Sequence, residues 1–488
     1  MTTTAEAFRH AQSLFRAGNC SDAIAVCHQI LGFSPDNCAT YFLLGVILIR
    51  QNNPVGAADC FRNCLKLRPD FSEAHNNLGV ILAKEKESEL AIHHFDASLY
   101  FRPKYTDASI NRARLLQEFG RIDEAVEQLQ SSLDDEPSNA NLHVELGYAL
   151  MRQGDFEEAV SHYELACQLG PQHAEAHWNL AMTMLTLGDF QSGWKEYEWR
   201  WKCSAFAPFA PAYDWPKWDG SPLDGKTVLL HAEQGFGDTF QFIRFASLLK
   251  AQNSEVVFHC QPKVKRLLSK FVGIDRWVSF GEPTPPCDVH ASLLSLPFNL
   301  GTTLETLPAT VPYLHAEAAL VEHWRKELDP IQGFKIGIAW QGNSIYQYDG
   351  QRSFPLKCFE PLAKIPGVRL ISLQKGDGIE QIAANSDRFA VEDYGSRIDA
   401  GEDAFVDTAA VIMALDLVIG CDSAIVHLAG ALGAPVWLPL AKVADWRWLL
   451  NRQDSPWYPT MRLFRQTEMG DWAAVFDRIA VALSSHCL

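Results

Sequence analysis

Three groups of polar residues in the second half of the chain have types and spacings that could do chemistry. The first is Gly235, Gly237 and Asp238. Two glycines allow a tight turn and a close backbone approach to a ligand. The Asp238 carboxylate can cap the following helix or take a proton from an attacking hydroxyl, and the spacing supports both interpretations equally. His231 and Glu233 flank this loop as secondary candidates for the base, with structural roles favoured.

The second group follows two apolar segments between residues 334 and 375. Asn343 and Arg352 come after the first segment, and Gln374 and Lys375 come after the second. An arginine suits a diphosphate because its planar guanidinium donates paired hydrogen bonds, whereas a lysine neutralises an anion as a point charge. The simpler alternatives are a surface arginine and a solvated lysine, each in a loop.

The third group is Asp422, Ser423 and His427. Asp422 ends an apolar segment, and Ser423 opens the helical sequence SAIVHLAGALG. A helix N-terminus with a hydroxyl and free N–H groups binds anions. His427 lies one turn further, on the same helix face as Ser423. A capping aspartate and a core histidine explain the same spacing, so the pattern alone does not decide.

Strands alternating with helices must position these groups. A linker rich in proline and aromatic residues is predicted at 206–222. The sequence TVLLH, which begins at Thr227, then predicts a buried strand, followed by a glycine-containing loop and a helix. Further apolar segments predict strands at 255–260, 334–340, 368–374, 415–421 and 434–440. This alternation predicts parallel sheets, whose ligands bind at the carboxyl ends of strands. All three polar groups follow such ends.

The first half of the chain is an internal repeat. Prolines recur every 34 residues, and alanines keep the same step, at Pro35, Pro69, Pro103, Pro137 and Pro171 and at Ala23, Ala57, Ala91, Ala125 and Ala159. This is the tetratricopeptide period. A Gly or Ala in the first helix permits close approach, and an aromatic residue is expected to fill the space between repeats. Five repeats from about Thr4 to His173, with a sixth from Ala174 as a cap, predict a helical solenoid.

The concave face of such a solenoid usually binds an extended peptide or a partner protein. His75, Asn76 and Asn77 fall on the first helix of the third repeat, and Asn179 takes a similar place in the sixth. Their side chains can hydrogen-bond a peptide backbone. The favoured alternative for each asparagine is an ordinary solvated helix residue.

Charge and composition exclude several function classes. The 42 basic and 59 acidic residues give a net charge of −17, which disfavours coating a nucleic-acid backbone. No segment reaches the roughly 18 apolar residues of a membrane span, and no secretory signal is visible. The 12 cysteines contain no CxxC pair, so we expect unpaired thiols, no metal site and a cytoplasmic location.

Four segments carry a family resemblance: WDGSPLDGKTVLLHAEQGFGD, SLPFNLGTTLETLPATVPYL, DTAAVIMALDLVIGCDSAIVHLAGALGAPVW and DWRWLLNRQDSPWYP. With the repeats before them, they resemble bacterial tetratricopeptide glycosyltransferase-like proteins. The C-terminal half is similar to the lipopolysaccharide heptosyltransferases and, more distantly, to the O-linked N-acetylglucosamine transferases. The resemblance implies a GT-B domain of two Rossmann-like lobes facing across a cleft. It also implies metal-independent, inverting transfer without a cofactor.

The resemblance assigns roles to the three polar groups. The heptosyltransferase aspartate that matches Asp238 faces the sugar acceptor, which favours Asp238 as the general base. The diphosphate of a nucleotide-sugar is expected on the helix that begins at Ser423, with Asp422 on sugar hydroxyls. The full set of expected ligand-binding residues is Gly235, Gly237, Asn343, Arg352, Gln374, Lys375, Asp422, Ser423 and His427.

The predicted domains are a solenoid at 1–207, an acceptor-side lobe at 208–330 and a nucleotide-sugar lobe at 331–488. The last helix, from Asp471 to Leu483, is expected to pack back on the first lobe. The cluster after the last strand is expected to pack the lobes rather than bind sugar; it comprises Asp445, Trp446, Arg447 and Trp448.

The sequence therefore predicts a cytoplasmic glycosyltransferase whose solenoid recruits a protein acceptor. Flagellin is the acceptor suggested by analogy with similar bacterial proteins. Two alternatives stay open: an enzyme that acts on a lipid or saccharide acceptor, and a scaffold whose transferase-like half has lost its chemistry. The presence of Asp238, Arg352, Lys375, Asp422 and His427 argues against the scaffold.

Overall fold

The computed structural model describes residues 3–233, 235–345 and 349–486. Its contacts divide the chain into two compact units, Met1–Asn179 and Leu180–Leu488.

The first unit is built from antiparallel helix pairs, as the 34-residue period predicts. Each repeated proline lies in the turn that separates one pair from the next. The helices are α1 (Thr4–Arg16), α2 (Cys20–Phe33), α3 (Cys38–Arg50), α4 (Pro54–Leu67), α5 (Ser72–Lys84), α6 (Ser88–Phe101), α7 (Thr106–Glu118), α8 (Ile122–Asp135), α9 (Ala140–Gln153) and α10 (Phe156–Leu169). A further pair, α11 (Ala174–Leu187) and α12 (Phe190–Tyr197), follows, and α11 spans the boundary between the units.

Within a repeat, a glycine of the first helix packs directly against an aromatic ring of the second helix. A Cβ atom added at Gly79 would lie 2.7 Å from the Phe95 ring, and one at Gly147 would lie 2.8 Å from Tyr163. Each ring therefore occupies the space beside the glycine of its own repeat. The expectation that it fills the space between repeats missed this contact, because sequence spacing does not tell which neighbour a ring meets.

The second unit contains two parallel sheets. The first has the order β3-β2-β1-β4, and the second has the order β6-β5-β7-β8-β9. The strands are β1 (Thr227–His231), β2 (Glu255–Cys260), β3 (Arg276–Ser279), β4 (Val289–Ser292), β5 (Phe334–Ala339), β6 (Val368–Ser372), β7 (Leu417–Gly420), β8 (Val436–Leu440) and β9 (Met461–Arg465). The α/β prediction is confirmed. Strands β3 and β4 were missed because they have only four residues each, and β9 was missed because arginines interrupt its apolar pattern.

Apart from β3–β4 and β8–β9, helices connect these strands. They are α13 (Phe236–Phe242), α14 (Ala246–Lys250), α15 (Lys265–Leu268), α16 (Leu296–Asn299), α17 (Ala318–Leu328), α18 (Asp349–Arg352), α19 (Glu360–Ala363), α20 (Gln381–Ala384), α21 (Val406–Ile412), α22 (Ala424–Ala431) and α23 (Trp472–His486). In the register of the second sheet, Ala339 at the end of β5 pairs with Gly420 at the end of β7. The loops after these strands therefore start from one edge.

Helix α12, which the sequence analysis placed in the solenoid, belongs to the second unit and packs among its aromatic side chains. The Trp194 ring lies 5.1 Å from Trp446 and 6.2 Å from Phe242, and the Phe190 ring lies 6.1 Å from Trp457. The boundary between the units consequently falls before α12, whereas the sequence placed the end of the solenoid at residue 207.

The prediction that the last helix packs back on the first lobe is wrong. Val475, Phe476 and Ile479 of α23 are buried in the core of the second sheet, and the Phe476 ring lies 5.0 Å from Phe354. Strand β9, which the sequence analysis missed, extends that sheet and provides the face that α23 covers.

The repeat contact can be tested in residues 1–173, which contain α1–α10 and which we expect to fold as a helical array. Gly79→Ala should lower the free energy of unfolding by about 1–3 kcal/mol, because the added methyl group enters a packed contact. Gly32→Ala is the control, since nothing lies near its Cβ position, and it should stabilise the helix by about 0.5–1 kcal/mol. Urea unfolding followed by far-ultraviolet circular dichroism measures both, and equal effects would contradict the contact.

Candidate functional site

A cavity of about 750 Å³ lies in the second unit between the two sheets, and it meets loops that follow β1, β5, β6 and β7. Its wall contains nearly every residue that the sequence analysis singled out for a ligand. These are Gly235, Gly237, Asp238, Asn343, Arg352, Gln374, Lys375, Asp422, Ser423 and His427.

Asp238 caps its helix and also faces the cavity. Its Oδ2 accepts a hydrogen bond from the Gly235 N–H at 3.3 Å, and its Oδ1 accepts one from Arg447 Nη2 at 2.7 Å. The side chain keeps 29% of its surface exposed. Burial raises the pKa of Asp238, while the Arg447 guanidinium acts in the opposite direction. The two interpretations of Asp238 are therefore compatible.

The two glycines beside Asp238 serve close packing. Gly235, with a φ of −78°, is the N-cap of α13, and Gly237 lies inside this helix, so neither glycine uses the left-handed backbone region. A Cβ atom on Gly237 would lie 3.0 Å from His427 Cδ2 and 3.4 Å from Ala424 Cα. The absent side chain lets α13 of the first sheet approach α22 of the second.

Glu233 belongs to a buried ion pair outside the cavity wall. Arg200 donates to both of its carboxylate oxygens, at 2.8 and 3.0 Å, and the Leu294 N–H donates to one of them at 3.2 Å. Ser292 donates a further hydrogen bond. A carboxylate held by this many donors is structural.

His231 also lies outside the cavity wall, within an aromatic cluster. Its ring is 5.1 Å from Tyr213 and 5.6 Å from His290. Burial lowers the pKa of His231 to about 3, so the ring is neutral at physiological pH. The favoured structural roles of His231 and Glu233 agree with this geometry.

Asp422 is the centre of the third polar group. Trp448 Nε1 donates to its Oδ2 at 2.7 Å, and His427 Nε2 lies 3.6 Å from its Oδ1. Burial and the neighbouring Asp445 raise the pKa of Asp422 to about 6. The carboxylate therefore changes charge close to neutral pH.

His427 is fully enclosed beside Asp422. Its ring stacks on Trp448 at 5.5 Å, and its Nδ1 lies 3.0 Å from the Tyr458 hydroxyl. Burial and the nearby arginines, Arg447 first among them, hold the pKa of His427 well below its usual range. The neutral ring can exchange hydrogen bonds but carries no charge for an anion.

The N-terminus of α22 points into the cavity. Ser423, Ala424 and Ile425 line the wall, and the Ser423 side chain does not cap the helix. The first N–H groups of α22 are consequently available to an acceptor from a ligand, which is the arrangement that suits an anion.

Arg352 and Asn343 line the cavity with protein partners already in place. Arg352 Nε donates a hydrogen bond to Asp349 Oδ1 at 3.0 Å. The negative charge of Asp422 raises the pKa of the Arg352 guanidinium. Asn343 Oδ1 accepts the Ile345 N–H at 3.0 Å, so this side chain shapes its own loop.

Gln374 holds loops together, although the sequence analysis expected a ligand contact. Its Oε1 accepts the N–H groups of Trp340 and Gln341, and its Nε2 donates to the carbonyls of Gln341 and Asp377. The side chain is buried, and both of its polar atoms are engaged. Gln374 therefore positions the loops after β5 and β6.

Lys375 points at backbone carbonyls. Its Nζ donates to the carbonyl oxygens of Ile398 and Asp399, the latter at 3.2 Å. These two carbonyls lie at the start of the loop from Asp399 to Phe405, which lines the cavity.

Sequence reasoning missed two parts of the wall. Arg447 and Asp445 line the cavity, although their cluster was assigned to packing. Phe405, in the left-handed region with a φ of 66°, packs on Phe236 and Phe240 of α13 at 5.5 and 5.2 Å. The alternating charges and tryptophans at 445–448 were a visible signal, but their distance in sequence from Asp238 concealed the contact.

Acidic residues outnumber basic ones in the cavity wall. Among the residues that the structure describes, seven carboxylate side chains line it, against four cationic ones, which are Lys263, Arg352, Lys375 and Arg447. Three of these four cations make the protein contacts described above, and Lys263 is exposed. A bound anion therefore depends on the α22 N-terminus as well as on these cations.

The described residues hold no group of three or more His, Cys, Asp or Glu side chains arranged for a metal ion. Within the same residues, no helix has the length and apolar character of a membrane span.

Two of the candidates for peptide binding in the first unit, His75 and Asn76, make internal contacts. Asn76 is buried and accepts a hydrogen bond from the Asn111 amide at 3.0 Å. His75 lies within hydrogen-bond distance of the Pro69 carbonyl and of His94, at 3.0 and 2.9 Å. These contacts favour structural roles for Asn76 and His75.

Comparison with known proteins supports the repeats. The profile of the tetratricopeptide repeat family matches residues 8–62, 42–106 and 110–174. The first unit is a tetratricopeptide-repeat array.

Protein FlbA of Caulobacter vibrioides is 30% identical to this chain over 305 residues, which cover 57% of this chain and 51% of FlbA. The chain spans about half the length of the curated relative that it matches.

Solved structures similar to this chain include two described as TPR proteins and one described as a pilus biogenesis factor. YrrB, described as a TPR protein with an unusual peptide-binding site, is 19% identical, covers 36% of this chain with 90% of its own length and has a TM-score of 0.31. PilW, described as a type IV pilus biogenesis factor, is 21% identical. The match covers 42% of this chain and 94% of PilW, with a TM-score of 0.38. A thermophilic TPR protein of Thermus thermophilus is 16% identical. The match covers 38% of this chain and 100% of that protein, with a TM-score of 0.32.

The raised pKa of Asp422 predicts a pH-dependent stability. The folded protein binds more protons than the unfolded chain between about pH 4 and pH 6, so Asp422 lowers stability as the pH rises through this window. Asp422→Asn should therefore raise the free energy of unfolding at pH 8 by an amount on the order of 1–3 kcal/mol, with the gain lost near pH 4. Calorimetric melting at several pH values measures the difference.

Asp377→Asn is the matched control of opposite sign. Hydrogen bonds from Ser344 lower the pKa of Asp377, so its carboxylate stabilises the fold above the unfolded pKa. This variant should melt lower than the wild type at pH 8 and approach it in acid. A gain for both variants, or for neither, would contradict the assignment.

Proposed function

We propose that the chain is a glycosyltransferase that moves a sugar from a nucleotide-sugar to a protein acceptor recruited by the repeat array. The proposed reaction needs no metal ion. The proposed architecture of the second unit is GT-B, with the acceptor on the first sheet and the donor on the second.

One observation carries this proposal. The cavity between the two parallel sheets brings together Asp238 from the first and Arg352, Asp422 and Ser423 from the second. Its volume of about 750 Å³ falls within the range of small-molecule sites, roughly 300–1,000 Å³. Residues far apart in sequence thus share one wall, with the carboxylate on one side and the anion-binding helix end on the other.

The donor diphosphate is assigned to the N-terminus of α22. Its N–H groups and the cations Arg352 and Lys375 would stabilise the negative charge that develops as the glycosidic bond breaks. Asp422 would accept hydrogen bonds from sugar hydroxyls. The neutral His427 ring would hold Asp422 in place without competing for the anion.

Asp238 is assigned as the general base. A hydroxyl of the acceptor would attack the anomeric carbon of the donor sugar while Asp238 takes its proton. The bond from that carbon to the diphosphate oxygen breaks, and the nucleoside diphosphate leaves with the electron pair. Asp238 meets the requirement because its carboxylate keeps part of its surface open to the cavity.

The repeat array supports a protein acceptor, since tetratricopeptide solenoids present extended surfaces to partner proteins. Flagellin is the first acceptor to test, from the family analogy. The side chains that contact it lie elsewhere than Asn76, which is buried.

The excess of carboxylates in the cavity favours a second candidate function. In it, the second unit binds a ligand without transferring a sugar, and the whole chain acts as a repeat scaffold. Arg352, Lys375 and Arg447 would then keep their present protein partners. Turnover of any nucleotide-sugar separates the two candidates.

The donor assignment predicts that Arg352→Ala weakens nucleoside-diphosphate binding. The expected loss is about 1.5–3 kcal/mol, the range for a hydrogen bond to a charged group. Isothermal titration calorimetry of the wild type with a panel of UDP, GDP and ADP first identifies the nucleotide that binds. The variant is then titrated with that nucleotide to measure the loss. Arg388→Ala, which removes an exposed arginine paired with Glu360, is the control.

Equal affinity of Arg352→Ala and the wild type would remove Arg352 from the donor site. Adding EDTA should leave binding and turnover intact, because the proposed donor site uses cationic side chains and helix N–H groups instead of a metal ion. A strict requirement for a divalent cation would overturn the proposed mechanism.

The base assignment predicts that Asp238→Asn loses about 10²–10⁴-fold in turnover, the usual contribution of a general base. The amide keeps the shape and can still accept the Gly235 N–H, but it cannot take the proton. Nucleotide release from the matched donor and acceptor measures the rate. Donor affinity should survive in this variant, and its melting temperature checks the fold. Turnover close to the wild-type value would leave Asp238 with its capping role alone.

A further inference from the structure

Arg447 connects the proposed base to the second sheet. It comes from the loop after β8, and its guanidinium reaches α13 of the first sheet, where Nη2 donates to Asp238 at 2.7 Å and Nε donates to Gln241 at 2.6 Å. Nη1 donates to Asp445 at 2.9 Å. All three nitrogen atoms of the guanidinium therefore hold acceptors.

The surroundings of Arg447 leave it little freedom to move. The side chain is 9% exposed, and its guanidinium lies 4.4 Å from the Trp446 ring centroid and 5.6 Å from that of Phe242. Moving a buried arginine off its acceptors would leave both the cation and a carboxylate unpaired, which is costly. The direction of the Asp238 carboxylate is thus determined by a residue that the base assignment does not use.

We propose that Arg447 is a positioning residue, which holds Asp238 as an ionised carboxylate at the cavity wall so that it can accept a proton. This inference rests on the proposed function for the role of Asp238. Arg447 acts through Asp238 and needs no contact with the substrate.

Charged and titratable groups face Asp238 from three directions. Arg447 and Asp445 come from the loop after β8, Glu233 comes from the end of β1, and Tyr197 comes from the end of α12. Arg200 already neutralises Glu233 through paired hydrogen bonds. Arg447 is thus the cation that balances Asp238, and Asp445 is the anion that opposes this balance.

The two residues of the loop predict opposite effects. Arg447→Met removes the cation, so Asp238 should hold its proton to higher pH. Asp445→Asn removes a negative charge while its Oδ1 can still accept the Arg447 N–H, so Asp238 should lose its proton at lower pH. Arg447→Lys keeps the charge and should stay near the wild type. A residue that only packs the loop would not produce shifts of opposite sign.

Carboxyl labelling measures the protonation of Asp238 without any substrate. The full-length variants are treated with a water-soluble carbodiimide and glycinamide between pH 5 and pH 8, and labelling of the peptide that contains Asp238 is quantified by mass spectrometry. At pH 7, Arg447→Met should label about tenfold faster than the wild type, the effect of a pKa shift of about one unit. Asp445→Asn should label more slowly, and Arg447→Lys should follow the wild type.

The same variants are assayed for turnover across pH with the donor that the nucleotide-sugar panel identifies. The acidic limb of the rate profile should move to higher pH in Arg447→Met and to lower pH in Asp445→Asn. Unchanged labelling in both, or shifts of the same sign, would overturn the role of Arg447. If Arg447→Met fails to fold, Asp445→Asn still decides the matter, since a shift to higher pH or no shift in that variant would overturn the role of Arg447.

The labelling and turnover arms separate two failures. Labelling shifts of opposite sign in Arg447→Met and Asp445→Asn, with no turnover of any nucleotide-sugar, would contradict the proposed function. They would still support the charge coupling between Arg447 and Asp238. Turnover of a nucleotide-sugar with unshifted labelling would support the proposed function and contradict the role of Arg447.

Discussion

The cavity depends on two buried arginines that join the two sheets of the second unit. Arg447 reaches from the second sheet to Asp238 and Gln241 on α13. Arg244, just beyond α13, donates to the carbonyl of Trp457 at 2.7 Å and to the Tyr313 hydroxyl at 2.6 Å. A buried guanidinium is costly unless its donors are satisfied, so these bonds fix the segment after β8 against α13. The aromatic rings of Trp446 and Phe242 then fill the space around them.

The same burial sets the charges of the site. Removing carboxylates from water raises the pKa of Asp238 and of Asp422, and the cations beside them act in the opposite direction. His427 is kept neutral by the same loss of water and by the same arginines. The protonation of these three side chains therefore depends on the charged groups around them. A site of this kind reduces stability in return for groups that change protonation near neutral pH.

The two units differ in how their residues meet. In the repeat array, neighbours in space are neighbours in sequence, and the contact between Gly79 and Phe95 recurs between Gly147 and Tyr163 two periods further on. In the second unit, Asp238 and Arg447 are separated by 209 residues. Local spacing therefore predicts contacts in the first unit and conceals them in the second.

The sequence by itself determined the repeat array, the parallel α/β character of the second unit and ten residues of the cavity wall, because a 34-residue period and polar residues after apolar strands are local patterns. Only the tertiary structure decided which candidates are structural: Glu233 is bound by Arg200, and Gln374 has both polar atoms in loop contacts. It also decided that α23 covers the second sheet and that Arg447 meets Asp238. These outcomes depend on which distant segments pack together, and the composition of a segment does not specify its partner.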